Sequence, residues 1–157
     1  LADPDDLIVQ HLDRLGITLP TPARPVANYV PFVRSGSLLV VSGQLPLVDG
    51  RLLATGKLGG GVSEAEGIAA ARACAVGLLA QVRAALGSFS GLVRVVRLGG
   101  FIACTPDFTG HATVMNGASD LIATLFGEAG QHARSTVGVP SLPLDAPVEV
   151  EGMFEVA

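Results

Sequence analysis

The segment from Ser63 to Gly87 constrains the fold more than any other part of the chain. Ser63-Glu-Ala-Glu66 has the pattern of a capping box, with Ser63 as N-cap and Glu66 reaching back from the third helical position. Ile68, Cys74/Ala75, Leu78/Leu79, Val82 and Leu86 then recur at helical spacing, and Gly87 suits the position just past the end of a helix. The spacing predicts a long helix over 64–86. Its Ala and Gly run gives it a low surface suited to close packing on a sheet.

The flanking sequence supplies that sheet. Residues 4–16 read as a short amphipathic helix, on Leu7, Ile8, His11, Leu12 and Leu15, ended by Gly16. A linker with Pro20, Pro22 and Pro25 follows. Residues 1–26 are therefore read as an appendage and 27–157 as the main domain. Strands near 28–34 and 38–43 form a hairpin around Arg34-Ser-Gly-Ser37. Residues 46–62 form a Gly-rich loop with a short edge strand at 51–53. A strand over 92–104, a second helix over about 108–126 and strands over 135–139 and 147–154 complete the order α-β-β-α-β-α-β-β. Two similar halves are visible: hairpin, helix, strand, then helix, hairpin. The expected fold is α/β (α+β), a single mixed sheet with both long helices on one face. The other face is then bare and apolar, which predicts oligomerisation.

Composition narrows the function. With 49% apolar residues and a mean hydropathy of +0.53, the chain has apolar surface to spare for a subunit interface. No apolar run is expected to reach the roughly 18 residues of a membrane span. The net charge of −4, without a basic stripe, argues against nucleic acid as a partner. Arg94 and Arg97 fit the solvent side of a strand. Cys74 and Cys104 form no CxxC, and Cys74 reads as a small core residue. His11, His111 and His132 show no metal-ligand spacing, so neither metal nor cofactor is expected. The visible start, with Asp3, Asp5 and Asp6, lacks the pattern of a signal peptide, and a cytoplasmic location is expected.

The chemistry concentrates near the C-terminus, in His132-Ala-Arg134-Ser-Thr136-Val-Gly-Val-Pro-Ser-Leu-Pro143 and Val148-Glu149-Val-Glu151. Arg134 enters an apolar strand with no acidic neighbour in sequence. Its guanidinium either grips a carboxylate with two parallel hydrogen bonds or pairs with an internal Glu. Glu149 and Glu151 alternate with Val148 and Val150, so both point to one face of a strand, either solvated or in a site.

Ala133-Arg134-Ser135, the Leu142-Pro143 step and Val148-Glu149-Val150-Glu151 together resemble the signature of the RidA/YjgF family, the reactive-intermediate deaminases also called endoribonuclease L-PSP. Upstream, Val41-Ser42-Gly43-Gln44-Leu45-Pro46 is similar to the family's SGQ-P segment. Ala27-Asn28-Tyr29-Val30 is similar to its Tyr-bearing first strand, and Asn116 falls near a family Asn. The chain looks most like a longer subgroup with an extra N-terminal helix and a Gly-x-His-Ala-Arg-Ser ending. The resemblance implies a chorismate-mutase-like homotrimer with clefts between subunits. It implies that Arg134 grips the substrate carboxylate, that Glu149 positions a hydrolytic water, and that Tyr29, Ser42, Gly43 and Asn116 line the cleft. Thr136 stands where many members carry Cys; its backbone carbonyl would hold water as well as theirs. The implied activity is hydrolysis of small 2-imino acids to 2-keto acids and ammonia. The alternatives are a non-catalytic, chaperone-like trimer that binds small carboxylates, and an endoribonuclease.

Overall fold

The structure, a computed structural model, describes residues 3–22, 24 and 27–157; Pro25 of the expected linker lies outside them. Asp3 begins the first helix by accepting the Asp5 amide at 2.9 Å, with Pro4 ready-set for the first turn. In chain order the elements are α1 (Pro4–Arg14), β1 (Phe32–Ser35), β2 (Leu38–Gln44), β3 (Leu47–Val48), β4 (Arg51–Leu52) and α2 (Glu64–Leu86). They continue with β5 (Leu92–Ala103), α3 (His111–Phe126), β6 (Ala133–Val139) and β7 (Val148–Val156). The capping box at Ser63 forms as expected, and Gly87 takes the left-handed conformation at the end of α2.

One mixed sheet of order β1-β2-β7-β5-β6 carries both long helices on one face. Val148, Val150, Phe154 and Val156 of β7, with Leu39 and Val41 of β2 and Leu98 and Ile102 of β5, point into the core. There they meet Cys74, Leu78 and Leu79 of α2 and Val114, Met115, Ala118 and Ile122 of α3. The Cys74 thiol is fully buried; desolvation, then the nearby Glu149 carboxylate, push its pKa well up, so it packs as an inert small residue. Helix α1 belongs to the same body. Leu12 enters the core, and Asp5 meets Arg83 at 3.3 Å and accepts the Phe89 amide at 2.7 Å.

Several expectations need correction. The last two strands are not a hairpin. β6 runs parallel to β5 after the α3 crossover, while β7 passes to the other side of β5 and fits antiparallel between β5 and β2. The eight residues 140–147, with a 3-10 turn at Pro143–Asp145, are long enough for that step, where a tight turn would have forced pairing. The short strand near 51–53 joins no edge of the main sheet; β4 pairs with β3 in a separate ribbon. Strand β1 starts only at Phe32, because Pro31 has no N–H for the ladder, although its carbonyl still accepts from the Ser42 amide at 2.9 Å. Tyr29 therefore precedes the strand. Helix α3 starts at His111, since Thr105–Phe108 closes a turn and Gly110 offers no side-chain cap.

Two corrections concern surfaces. By length and composition alone α2 is apolar enough to cross a bilayer, contrary to the sequence expectation. Its apolar content is explained by ten buried residues that pack on the sheet and α3. The open face of the sheet is not uniformly apolar either. Val33, Val40, Met153, Phe101 and Val137 share it with Glu149, Glu151, Glu155 and Arg97. Register shifts in β5 bring both Arg94 and Arg97 to this face, opposite Glu155 and Met153.

Candidate functional site

The polar residues singled out from the sequence fall into two groups. The first lies between edge strand β6 and helix α3. Strand alternation turns Arg134, Thr136 and Gly138 toward α3, opposite to Ser135 and Val137. Across from them Ala112, Asn116 and Ser119 form a helical stripe at i, i+4 and i+7. Arg134 bridges the two elements. Its Nη1 donates to Asn116 Oδ1 at 2.8 Å and to Ser119 Oγ at 3.0 Å, and its Nη2 donates to the Ala112 carbonyl at 3.1 Å. All three acceptors are neutral. Among the described residues no carboxylate pairs with Arg134, so the internal ion pair considered from the sequence is not found. Of a guanidinium's five N–H donors, three are thus held by protein and two remain for a ligand.

Thr136 sits two residues along from Arg134 on the same side of the strand. Its Oγ1 is buried without a hydrogen-bond partner among the described residues. Such an unpaired hydroxyl costs about 1–3 kcal/mol until a polar atom reaches it. At the far end of this groove Cys104 Sγ and His111 Nε2 meet at 3.5 Å. A side chain at Gly138 would collide with both, so only glycine leaves room for the pair.

The second group lies at the other end of the sheet. Tyr29, Ser42, Gly43 and Glu149 line one pocket, joined by Gln44 and Gln81. Tyr29 is 47% exposed. Ser42 Oγ donates to the Val30 carbonyl at 2.8 Å, which ties the Tyr29 segment to β2. Gly43 leaves room for the Glu149 carboxylate, which occupies the space where a Cβ would stand. Glu149 is half-buried, and no hydrogen bond compensates it among the described residues. Burial first, and the neighbouring Glu151 carboxylate second, raise its pKa above the usual Glu value. The repulsion agrees with the sequence reading that both glutamates share a face.

Within one chain the two groups do not meet. Glu149 pairs in register with Phe101, which pairs with Val137, so β5 separates Glu149 from β6. Two strand spacings put the backbones about 10 Å apart. Moreover, Glu149 points to the open face and Arg134 to the helix face.

Sequence reasoning missed Ser119 and the role of His132. Oγ of Ser119 lies 2.9 Å from His132 Nε2, and His132 Nδ1 lies 2.6 Å from the Gly130 carbonyl oxygen. The available signal was the stripe at 112, 116 and 119, hidden because the apolar stripe at 114, 118, 121 and 125 dominates the periodicity of α3. Buried Gln81 was also missed, and buried Gln44 entered only as part of the SGQ-P segment. No group of three or more His, Cys, Asp or Glu could hold a metal ion among the described residues.

Residues 10–155 match the family model described as "YjgF/chorismate mutase-like, putative endoribonuclease". Protein TCP17 of Trypanosoma cruzi is 50% identical over 149 residues, 94% of this chain and 93% of the relative. The crystal structure of Atu1372 from Agrobacterium tumefaciens, described as of unknown function, superposes with a TM-score of 0.93 at 49% identity, covering 98% of this chain and 95% of that one. The YjgF gene product of Escherichia coli superposes with a TM-score of 0.64 at 26% identity, covering 86% of this chain and 93% of that one. The family match and the superpositions thus agree with one assignment, and the chain belongs to the YjgF/chorismate mutase-like family.

Proposed function

We propose that this protein hydrolyses small 2-imino acids to 2-keto acids and ammonia, in clefts formed between copies of a homotrimer. The observation that carries the reading is Arg134: a half-buried cation held by three neutral acceptors, with two donors left over and no protein carboxylate to neutralise it. A planar guanidinium in that state fits the carboxylate of a small acid. The separation of the two groups within one chain supports a cleft shared between copies. Arg134, Asn116 and Thr136 of one copy would face Tyr29, Ser42, Gly43 and Glu149 of the next.

The reaction asks little of the protein beyond position and charge. The imine carbon is already electrophilic. Water adds to it, the C=N π pair moves to nitrogen, and nitrogen takes a proton. The resulting carbinolamine expels ammonia as the C–O bond becomes a carbonyl. Glu149, a half-buried carboxylate lining the pocket with Tyr29 and Ser42, is the candidate to relay protons between water and nitrogen. Arg134 fixes the carboxylate, and Thr136 offers polar atoms beside it. No cofactor is needed.

The test is an assay in which a dehydratase releases imine from several amino-acid donors while keto acid and ammonia are followed, beside calorimetric titration of pyruvate. Arg134→Ala should lose roughly 2–5 kcal/mol of carboxylate affinity, and Arg134→Lys should recover little of it. Intact affinity in a folded Arg134→Ala protein would refute the reading. Binding without turnover in the parent protein would instead favour a carboxylate-binding, chaperone-like trimer. The endoribonuclease in the family's description is tested on the same samples, and RNA cleavage abolished in Arg134→Ala would favour it.

A further inference from the structure

We propose that His132 is a positioning residue for Arg134, acting through the Ser119 hydroxyl; the inference rests on the proposed role of Arg134 as a carboxylate clamp. His132 and Arg134 are two residues apart, and both side chains reach the α3 side of the sheet. With a neutral imidazole the hydrogen bonds between them have only one consistent direction. The Gly130 carbonyl can only accept, so the His132 nitrogen 2.6 Å away, Nδ1, carries a proton. In the neutral ring Nε2 is then bare, and it accepts from the Ser119 hydroxyl at 2.9 Å. With its hydrogen turned toward His132, the Ser119 oxygen presents its lone pairs to Arg134 Nη1, 3.0 Å away.

The opposite arrangement is poor. An imidazolium would set a second cation on the hydroxyl that already serves Arg134, and neither group has a carboxylate partner among the described residues. Without the imidazole, a helical serine hydroxyl turns back to a carbonyl of its own helix. Its oxygen then no longer faces Nη1 in one fixed orientation. Asn116 and the Ala112 carbonyl still hold the guanidinium, but with one restraint fewer. Hence His132 sets how narrowly the two ligand-facing donors are aimed.

The experiment uses the full chain and pyruvate as probe. Ser119→Ala, His132→Phe and the double variant are titrated by calorimetry beside Arg134→Ala, with a thermal melt of each. Each single substitution should weaken pyruvate binding about tenfold, and the double variant should be no weaker than either, because both break one chain. Long-range ¹H–¹⁵N spectra of the parent protein should show His132 protonated at Nδ1 and bare at Nε2. A purely structural role would not predict the shared penalty in affinity, and the tautomer checks the direction of the Ser119–His132 hydrogen bond. Unchanged affinity in both single variants, penalties that add, or an Nε2–H tautomer would overturn the proposal. If Arg134→Ala itself keeps pyruvate, the clamp fails; if it loses pyruvate while Ser119→Ala and His132→Phe keep it, only the positioning role fails. Should His132→Phe not fold, Ser119→Ala and the tautomer spectrum still decide.

Discussion

Glu149 is a carboxylate that the fold holds against its preference. Burial and Glu151 raise its pKa, so the folded protein binds that proton more tightly than the unfolded chain does. Stability therefore falls as pH rises from the unfolded Glu value of about 4.3 through the raised folded value, and is flat above both. Glu149→Gln removes this penalty. Its melting temperature should exceed that of the parent protein at pH 7, and the difference should vanish below pH 4. Turnover of imine should meanwhile drop by about 10²–10⁴-fold. A variant that is no more stable at pH 7 contradicts the electrostatic account, and one that turns over normally removes Glu149 from the chemistry. At this scale the sequence spoke clearly where chemistry is unusual for its surroundings. Arg134 stands out in an apolar strand, and Glu149 and Glu151 stand out by alternation. Ser119 and His132 did not, since a serine in a helix and a histidine before a strand are ordinary until tertiary contact brings them together.

The helices show how close packing constrains an element. On α3, a Cβ at Gly117 would run into the backbone carbonyl of Ile68, and a Cβ at Gly67 would press on Leu58 and Val114. Alanine is the better helix former by about 1 kcal/mol, yet Gly117→Ala should destabilise the protein by roughly 1–3 kcal/mol, because α2 must move off α3. A urea denaturation midpoint at or above the parent's would show that the helices yield more easily than their spacing implies. The Ala and Gly content of α2 points in the sequence to packing on a sheet but not to the close approach of α3, whereas the capping box marks the start of the helix. Strand partners were less legible. Periodicity marks where a strand is, but pairing is settled by what lies beside it. Nothing in Val148–Val156 says that β5 and β2 flank it while β6 lies beyond β5.

At the scale of the molecule, the separation of Arg134 from Glu149 supports the proposed assembly. Light scattering should return three times the 15.9 kDa chain mass. A sharper test mixes Arg134→Ala with Glu149→Gln, each inactive alone, by unfolding and refolding together. If each cleft takes Arg134 from one copy and Glu149 from the next, about a quarter of the clefts in an equal mixture hold both intact residues. Activity should reappear to that extent, whereas a cleft built within one chain would give none. The open face, with Glu149, Glu151 and Glu155 among its apolar residues, offers copies charged as well as apolar surface to match. The sheet order also bears on how the chain is made. Strand β7, which follows the other four strands in sequence, is the middle strand of five. On the ribosome, β1–β2 and β5–α3–β6 wait as two half-sheets, each with an open hydrogen-bonding edge, until β7 arrives. A premature stop before Val148 would therefore yield no shorter working protein, only a chain with two exposed edges prone to aggregate.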